Sequence, residues 1–356
     1  MIRVKKTDVF VRKCLLTILI TLVLIAALVI VVDPYFHFHK PLSFLSYRLY
    51  DERYTNDGIS RHFDFDSVIT GSSMAQNFKP SIAEELFGGV FVKETFSGSG
   101  FEEQSQNLNR AFERKNNIKR VLWCLDYNGL IRDKDWQGYD DFPTYLYDDN
   151  LLNDVKYVFN KDILYHGVIN NLVMTVTGEP STTMDEYSGW GAEATGLEGI
   201  FKLYDRNNVQ HDLPDHLTQD DERMVRENIG ENVVSLVNEH PDVEFIIFYP
   251  PYSICYWDEV NLMNTLERQL KAEEVATSML LECPNVKLYS FFDQYDVITD
   301  VSNYRDKEHY MGWINDKMLN WMATDVGRVT KDNYLEKIAK EREYYGSYDY
   351  ESIYKQ

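Results

Sequence analysis

A continuous apolar stretch near the N-terminus sets the first constraint on this chain. Residues 14–32 read CLLTILITLVLIAALVIVV, with no charged residue, no proline and no glycine. In an α-helix, at about 1.5 Å per residue, these residues extend over roughly 30 Å, which is the thickness of the hydrocarbon core of a bilayer. The stretch therefore predicts one transmembrane helix over residues 14–32.

The charges before this stretch predict its orientation. The flank carries a clear excess of positive charge, contributed by Arg3, Lys5, Lys6, Arg12 and Lys13 against Asp8. By the positive-inside rule, residues 1–13 stay cytoplasmic and the chain from residue 33 onward lies outside the cell. The alternative is a cleaved signal peptide, but its apolar core is usually about 7–15 residues long and no small-x-small cleavage site follows here. We therefore expect a single-pass plasma-membrane protein with an uncleaved signal anchor.

The segment after the anchor, residues 33–62, is predicted to lie next to the membrane. Its many aromatic residues suit a membrane interface. His37 and His39 alternate with phenylalanines there, and a pair of histidines without further ligands nearby predicts an interfacial feature, not a metal site.

The outer part of the chain is strongly acidic. Residues 1–32 carry about +4 within a total net charge of −21, so the remainder carries roughly −25. Such a surface repels nucleic acid and is not drawn to anionic lipid headgroups. The outer cysteines, Cys124, Cys255 and Cys283, are odd in number and match no zinc spacing. We expect no nucleic-acid partner, no metal and no cofactor.

Strand and helix patterns alternate along the outer part. Short apolar runs typical of buried strands are FDSVITGS, VFVKETF, VLWCLDY, VEFIIFYPP and VKLYSFF. Helical patterns cover residues 101–115, 218–240, 257–281 and 311–322, the second with Thr218 as its cap. This order predicts an α/β fold, a doubly wound parallel sheet with helices on both faces.

The regular alternation is interrupted between about residues 130 and 217. This part is rich in Tyr, Asp and Gly and predicts an insertion over the carboxyl edge of the sheet, where ligand sites of such folds lie. Its Tyr187 and Trp190 suit stacking on sugar rings and equally suit ordinary packing. The expected outer domain covers residues 63–330 with this insertion, followed by a C-terminal helix and tail over residues 331–356.

Two serines follow a glycine at the end of the first predicted strand, in VITGSSMAQNF. Gly71 permits a tight turn, and Ser73 would project its hydroxyl into the crevice beside the N–H groups of a helix start. Those N–H groups can stabilise an oxyanion. The alternative is that Ser72 or Ser73 serves only as a helix N-cap.

A base for such a serine is available near the end of the chain. Asp306 precedes His309 by three residues, after the last predicted strand and ahead of the last predicted helix. This spacing lets the carboxylate hold one imidazole nitrogen while the other nitrogen faces the serine. The alternative is a solvated loop with an incidental histidine. His166, His211 and His216 lie in or beside the insertion and compete for the role of base.

The order Ser, Asp, His on these motifs resembles the SGNH/GDSL hydrolase-like superfamily over roughly residues 64–326. The resemblance implies a flavodoxin-like fold. It also implies that Ser73, the third residue of a G-x-S block, is the nucleophile, and that Asp306 and His309 form the terminal D-x-x-H block.

The same resemblance implies an oxyanion hole made by the backbone N–H of Ser73, a glycine after the second strand and an asparagine after the third. The glycine is Gly98 or else Gly100, and Asn128 in LDYNG lies near the asparagine position. The superfamily's usual G-x-N-D spelling is absent here. A simple turn at Asn128 and a structural role for Asp126 are the alternatives.

An N-terminal anchor ahead of such a domain resembles the cell-envelope acyl-transfer group, which includes the teichoic acid D-alanyl transfer protein and the SGNH partners of membrane-bound O-acyltransferases. The resemblance implies transfer of an acyl group from a donor to an envelope glycan or polymer through an acyl-serine. A purely hydrolytic esterase and an inactive scaffold for an integral membrane O-acyltransferase are the two alternatives.

Overall fold

The computed structural model of the protein describes residues 2–115, 117–139, 142–209 and 212–355. The chain divides into two units. The membrane-proximal unit comprises Met1–Phe63 and Phe142–Thr182, and the sheet unit comprises Asp64–Asp141 and Thr183–Gln356. Residues 142–182, from the middle of the predicted insertion, thus belong with the N-terminal part of the chain.

Helices are distributed over both units. In chain order they are α1 (Ile2–Val32), α2 (Glu52–His62), α3 (Pro80–Phe87), α4 (Phe101–Arg114), α5 (Val155–Val158), α6 (Asn170–Thr177), α7 (Gly196–Ile200), α8 (Gln219–Ile229), α9 (Ser235–Glu239), α10 (Ile254–Leu262), α11 (Leu266–Leu280), α12 (Tyr295–Ile298), α13 (Gly312–Ala323) and α14 (Tyr334–Ser347). Two π-helical segments, Ile163–Ile169 and Gly230–Val234, lead into α6 and α9. Short 3₁₀ helices are Ser73–Ala75, Tyr127–Gly129, Thr144–Leu146, Arg206–Asn208, Val301–Asn303 and Tyr350–Lys355.

The sheet unit is built on a six-stranded, mostly parallel sheet in the described part of the chain. The strands are β1 (Ser67–Thr70), β2 (Phe91–Lys93), β3 (Arg120–Cys124), β4 (Glu244–Tyr249), β5 (Val286–Ser290) and β6 (Arg328–Val329). Their order is β2-β1-β3-β4-β5-β6, and only β6 runs antiparallel to its neighbour. The predicted α/β class with a largely parallel sheet is confirmed.

Two local sequence signals, a helix cap and a buried strand residue, agree with the structure. The Thr218 side chain accepts from the backbone N–H of Asp221 at 3.1 Å, and the Asp221 carboxylate accepts from the Thr218 N–H at 3.1 Å. This reciprocal pair is a capping box, which satisfies two donors at the start of α8. Cys124, at the end of β3, is buried as its apolar neighbours predict.

The prediction of one continuous helix over residues 257–281 was wrong. Helix α10 ends at Leu262, and α11 begins at Leu266. Between them Asn264 adopts a left-handed conformation with φ of 57°, which asparagine tolerates better than most residues. Because leucines recur at helical spacing on both sides, the apolar pattern runs through the break and conceals it.

The turn that ends β1 is held by a close approach to β3. Gly71 has a φ of +146°, and a Cβ at this position would lie 2.8 Å from Cys124 Cβ and 2.9 Å from Ala75 Cβ. Only glycine fits both the conformation and the space. The chain can therefore turn sharply from β1 into the 3₁₀ helix Ser73–Ala75 over the carboxyl edge of the sheet.

The membrane-proximal unit begins with a helix that is long and apolar enough to cross a membrane, over Asp8–Val32 with a mean hydropathy of 3.3. Beyond its end, Asp33 accepts from the backbone N–H groups of residues 37–39 at 2.7–3.0 Å and from the Tyr157 hydroxyl at 2.9 Å. His37 is buried, with Nε2 2.9 Å from Asp154 Oδ1. A polar network thus joins the residues that follow α1 to the part of this unit formed by residues 142–182.

Gly71→Ala is expected to destabilise the protein by about 2–4 kcal/mol, because the new methyl group meets two neighbours and the backbone must leave its preferred conformation. Chemical denaturation of the detergent-solubilised chain measures this loss. Gly230→Ala is the matched control, since Gly230 has a helical φ of −64° and its nearest neighbour is Met279 Cε at 3.5 Å. We expect this variant to stay within about 1 kcal/mol of the wild type. Equal effects of the two variants would contradict the close-approach explanation.

Candidate functional site

A serine meets a sequence-distant Asp-His pair at the carboxyl edge of the sheet. Ser73 Oγ lies 2.8 Å from His309 Nε2. On the other side of the imidazole, Nδ1 lies 3.0 Å from both Asp306 Oδ1 and Asp306 Oδ2. With Nδ1–H donating to the carboxylate, Nε2 is left to accept the proton of the serine hydroxyl.

The two serines of the Gly-Ser-Ser turn have different positions. The Ser72 side chain accepts from the backbone N–H of Met74 at 3.3 Å and caps the 3₁₀ helix, and Ser72 is almost fully buried. Ser73 is the first residue of that helix and faces His309. The capping role therefore belongs to Ser72, and the Ser73 hydroxyl contacts the imidazole.

The loop that carries the aspartate and the histidine is held in a tight turn. Asp306 Oδ1 accepts from the backbone N–H of Glu308 at 3.0 Å and of His309 at 2.8 Å. The Arg305 N–H donates to the His309 carbonyl oxygen at 2.9 Å. Because one carboxylate holds both the backbone and the imidazole of His309, the ring is oriented by its own loop.

Acidic neighbours set the proton affinity of the histidine. Burial alone would lower the pKa of His309, but the hydrogen bond and charge of Asp306, with the charges of Glu308 and Asp126, outweigh it and raise this pKa above its ordinary value. For Asp306 the effects are reversed. Burial alone would raise its pKa, but its hydrogen bonds and the charge of His309 lower this pKa overall. The pair therefore favours an ionised Asp306 beside an imidazole that is more basic than usual.

The cleft beside Ser73 has a volume of about 460 Å³ and is lined by all three predicted oxyanion-hole residues, Ser73, Gly98 and Asn128. Among the described residues, the backbone N–H groups of Ser73 and Gly98 have no protein acceptor. The Tyr256 hydroxyl donates to Asn128 Oδ1 at 2.8 Å, which leaves the Asn128 amide nitrogen as a donor for another group. Gly100, the alternative glycine, instead packs against Trp136.

Two further carboxylates on this cleft were missed as site residues by the sequence patterns. Burial raises the pKa of Asp126 to about 6, and the Glu308 charge acts in the same direction. Asp126 lies two residues after the end of β3, so a charged residue just beyond a buried strand was the available signal. Arg132, whose guanidinium lies 4.0 Å from the centre of the Trp136 ring, is the cation on the same cleft wall.

Trp190 contacts the backbone and the imidazole of the site. Its indole N–H donates to the Ser73 carbonyl oxygen at 3.2 Å, and its ring meets the His309 ring edge-on at 5.4 Å. The backbone N–H of Trp190 donates to Asn77 Oδ1 at 2.9 Å. Tyr187, the other aromatic residue singled out in this region, is fully buried and belongs to the core.

A buried lysine holds the chain just after Ser73. Lys93, at the end of β2, is fully buried, and its ammonium group donates to the carbonyl oxygens of Gln76 at 2.5 Å, Phe78 at 3.1 Å and Asp185 at 3.2 Å. These bonds join the segment that follows the 3₁₀ helix to the segment that leads to Trp190. Lys93 therefore stabilises the packing of these two segments against each other.

Two of the competing histidines, His166 and His216, are absent from the cleft lining. His166 is exposed in the membrane-proximal unit, and His216 is exposed with Nδ1 2.7 Å from Asp215. His211 lies outside the described residues. Within the described ranges, no group of three or more His, Cys, Asp or Glu side chains is arranged to hold a metal ion.

Lys93→Met is expected to lower the free energy of unfolding by about 2–4 kcal/mol, because buried carbonyl oxygens lose their donor. The measurement is denaturant unfolding of the full chain in detergent. Lys79→Met is the matched control, since the Lys79 ion pair with Asp316 at 2.7 Å is partly exposed. We expect this control to cost less than about 1 kcal/mol. A loss at Lys93 no greater than that at Lys79 would refute the structural role of Lys93.

Comparisons with known proteins add little to this geometry. No family model matches the chain, and no curated protein matches it. Solved structures that it resembles include one described, only provisionally, as a platelet activating factor from Streptococcus pneumonia. The two chains are 10% identical, the match covers 77% of this chain and 90% of the other, and the TM-score is 0.39. A likeness at this level carries no argument about activity, so the function rests on the site itself.

Proposed function

We propose that this chain is a membrane-anchored, extracytoplasmic serine O-acyltransferase or esterase that works through an acyl-serine. The observation that carries the proposal is the 2.8 Å contact between Ser73 Oγ and His309 Nε2, with Asp306 on the opposite ring nitrogen. A hydroxyl paired with an oriented imidazole in this way is the general arrangement of an activated nucleophile.

In the proposed reaction, His309 Nε2 takes the Ser73 proton as Oγ attacks the acyl carbon of an ester or thioester donor. The resulting tetrahedral oxyanion collapses, the bond to the leaving group breaks, and His309 returns the proton to the departing alcohol or thiol. His309 then deprotonates an incoming hydroxyl, which attacks the acyl-Ser73 and regenerates the serine. A glycan hydroxyl as acceptor gives transfer, and water gives hydrolysis.

The donors of the cleft support stabilisation of that oxyanion. The N–H groups of Ser73 and Gly98 lack protein acceptors among the described residues, and Tyr256 fixes the Asn128 amide by its oxygen. Donors that are held in place before the reaction need no reorganisation as negative charge develops. These three groups form the proposed oxyanion hole despite the absent G-x-N-D spelling.

The sheet supports assignment of the fold to the flavodoxin-like SGNH type. The strand order β2-β1-β3-β4-β5 is that of flavodoxin-like sheets, whose ligand sites lie where the order reverses, at the carboxyl ends of β1 and its neighbours. Ser73, Gly98 and Asn128 follow β1, β2 and β3 in turn. We propose residues 63–330 as this domain, apart from residues 142–182, which belong to the membrane-proximal unit.

We further propose that α1 anchors the chain in the plasma membrane, with residues 1–13 in the cytoplasm and the sheet unit outside. The positive flank and the apolar span support this orientation. The acceptor would then be an envelope glycan or polymer, and an integral membrane O-acyltransferase would be a suitable partner to supply acyl groups.

Exposure of the detergent-solubilised full chain to a fluorophosphonate is expected to give one covalent adduct, because an activated Ser73 displaces fluoride from phosphorus. Intact-mass analysis detects it. Ser73→Ala is expected to abolish the adduct, and His309→Ala to slow its formation by at least about a hundredfold.

Ser72→Ala is the matched control for this experiment. It removes the cap and a hydrogen bond to Asp126, at a cost of about 1–2 kcal/mol, but keeps the Ser73 hydroxyl and should keep the adduct. A folded wild type that forms no adduct would favour the inactive-scaffold alternative. The rate at which Ser73 loses its acyl group separates the transferase from the esterase. A rate that increases when glycan is added indicates a transferase, and a rate that is the same in water alone indicates an esterase.

The pH dependence of labelling tests the role of the histidine. Because the base must be neutral, labelling should rise with pH through the raised pKa of His309, which lies above its ordinary value of about 6.5. Glu308→Gln removes a negative charge that raises this pKa, so the rise should move to lower pH.

Glu102→Gln, a change at a partly exposed residue of α4 that is absent from the cleft lining, serves as the control and should leave the profile unchanged. Rates of labelling measured from pH 5 to 9 in one buffer series give both profiles. A profile of Glu308→Gln that overlays the wild type, or moves to higher pH, would be inconsistent with His309 as the base.

A further inference from the structure

The membrane-proximal unit contains a helix that is apolar on two opposite sides. The π-helical segment Ile163–Ile169 continues directly into α6. Its inner side, which includes Ile163, Gly167 and Val168, is buried within the unit. A surface helix normally turns polar residues outward. This helix does not.

Its outer side carries a stripe of apolar residues at helical spacing. Tyr165, Ile169, Val173 and Val176 follow one another at intervals of three or four residues, and all four are exposed, Val176 to 87%. Such a stripe costs free energy in water unless another apolar phase covers it.

A second exposed apolar group precedes this helix in the same unit. It consists of Leu151, Leu152, Val155 and Phe159, in and around α5, and Leu152 is 87% exposed. We call these residues, together with Tyr165, Ile169, Val173 and Val176, the outer apolar patch. Most exposed apolar residues occur singly on soluble proteins, whereas here eight occur within residues 151–176.

Both groups sit on elements that pack against the end of the candidate membrane span. Val29 and Val32 of α1 share one buried cluster with Tyr157, Ile163 and Val168. A Cβ at Gly167 would lie 2.6 Å from Pro34 Cγ, so this helix lies directly against the residue that follows the span by two positions.

The packing also extends back along the span. Ile25 and Ala26 of α1 pack against the same cluster. Ile25 precedes Val32 by seven residues, which is about 10 Å along a helix. The elements that carry the outer apolar patch therefore lie at the depth where α1 enters the bilayer, provided that α1 crosses it as proposed.

We propose that the outer apolar patch is a second membrane contact, inserted among the lipid acyl chains at the leaflet from which the sheet unit emerges. A helix that lies in the interface with its apolar side in the acyl region is a recognised mode of membrane binding. The inference rests on the proposed crossing of the membrane by α1, but not on the catalytic role of Ser73.

The charge of the segment favours acyl chains over headgroups as the contact. Residues 151–177 contain Lys156 and Lys161 against Asp154 and Asp162, so they carry no net charge. Contact driven by burial of apolar surface should be insensitive to salt and to anionic lipid, unlike binding by a basic patch.

The test uses the full chain in phosphatidylcholine vesicles, with a fluorescent label on single cysteines. In a Cys14→Ser background the remaining cysteines, Cys124, Cys255 and Cys283, are buried and should not label. Labels at Leu152→Cys and Val176→Cys are expected to be quenched by doxyl-labelled lipid, to be protected from aqueous iodide at least about threefold relative to an aqueous control, and to show no change with salt.

Leu203→Cys is the aqueous control, because Leu203 is 74% exposed in the sheet unit. Leu19→Cys, in the middle of α1, is the control for the anchor. If Leu19→Cys is quenched by lipid while Leu152→Cys and Val176→Cys behave like Leu203→Cys, the anchor stands, the second contact is refuted and a protein partner becomes the occupant of the patch. If instead the label at Leu19→Cys is quenched by iodide and not by doxyl-labelled lipid, the proposed anchor fails and the inference fails with it. Lipid quenching and iodide quenching do not depend on the reactivity of Ser73. A protein that fails to react with the fluorophosphonate can therefore still support the second membrane contact.

Discussion

The close approach of the β1 turn to the end of β3 is the constraint on which the site depends. With no Cβ at Gly71, the turn can lie against Cys124, and the chain leaves the sheet with Ser73 facing across its carboxyl edge. Parallel pairing of β1 with both β2 and β3 brings Gly98 and Asn128 to the same edge. A larger residue at 71 would displace the serine relative to every other group of the cleft.

The electrostatics of the cleft follow from the concentration of negative charge around one imidazole. Asp306 bonds to the ring, while Glu308 and Asp126 act on it through their charges, and together they outweigh the effect of burial on the pKa of His309. The same crowding affects the carboxylates differently. Asp306 has a lowered pKa because donors surround it, whereas Asp126 has a raised pKa because burial dominates. The surroundings of each aspartate, not its residue type, decide the direction in which its pKa moves.

The sequence was informative where local chemistry decides the structure. Continuous apolar runs predicted β1 to β5, and the polar residues Thr218 and Asp221 marked the start of α8. The break between α10 and α11 at Asn264 was not predicted, because the helical spacing of leucines does not reveal a single residue with a left-handed conformation. Residue types suggested Ser73, Asp306 and His309 as partners, but the 2.8 Å contact across 236 positions depends on the sheet. The place of Trp190 at the site required the fold for the same reason.

The membrane-proximal unit is assembled from two chain segments with a third of the sheet unit between them in sequence. Residues 46–49 hydrogen-bond to residues 171–182, and Asp33 receives the hydroxyl of Tyr157. During synthesis α1 and residues 33–63 leave the ribosome well before these partners exist. While β1, β2 and β3 are translated, Asp33 therefore has only the backbone N–H groups of residues 37–39 as donors, and the Tyr157 hydroxyl is still missing. Completion of this unit consequently has to wait until residue 182 has been made, although the unit contains the first residues of the chain.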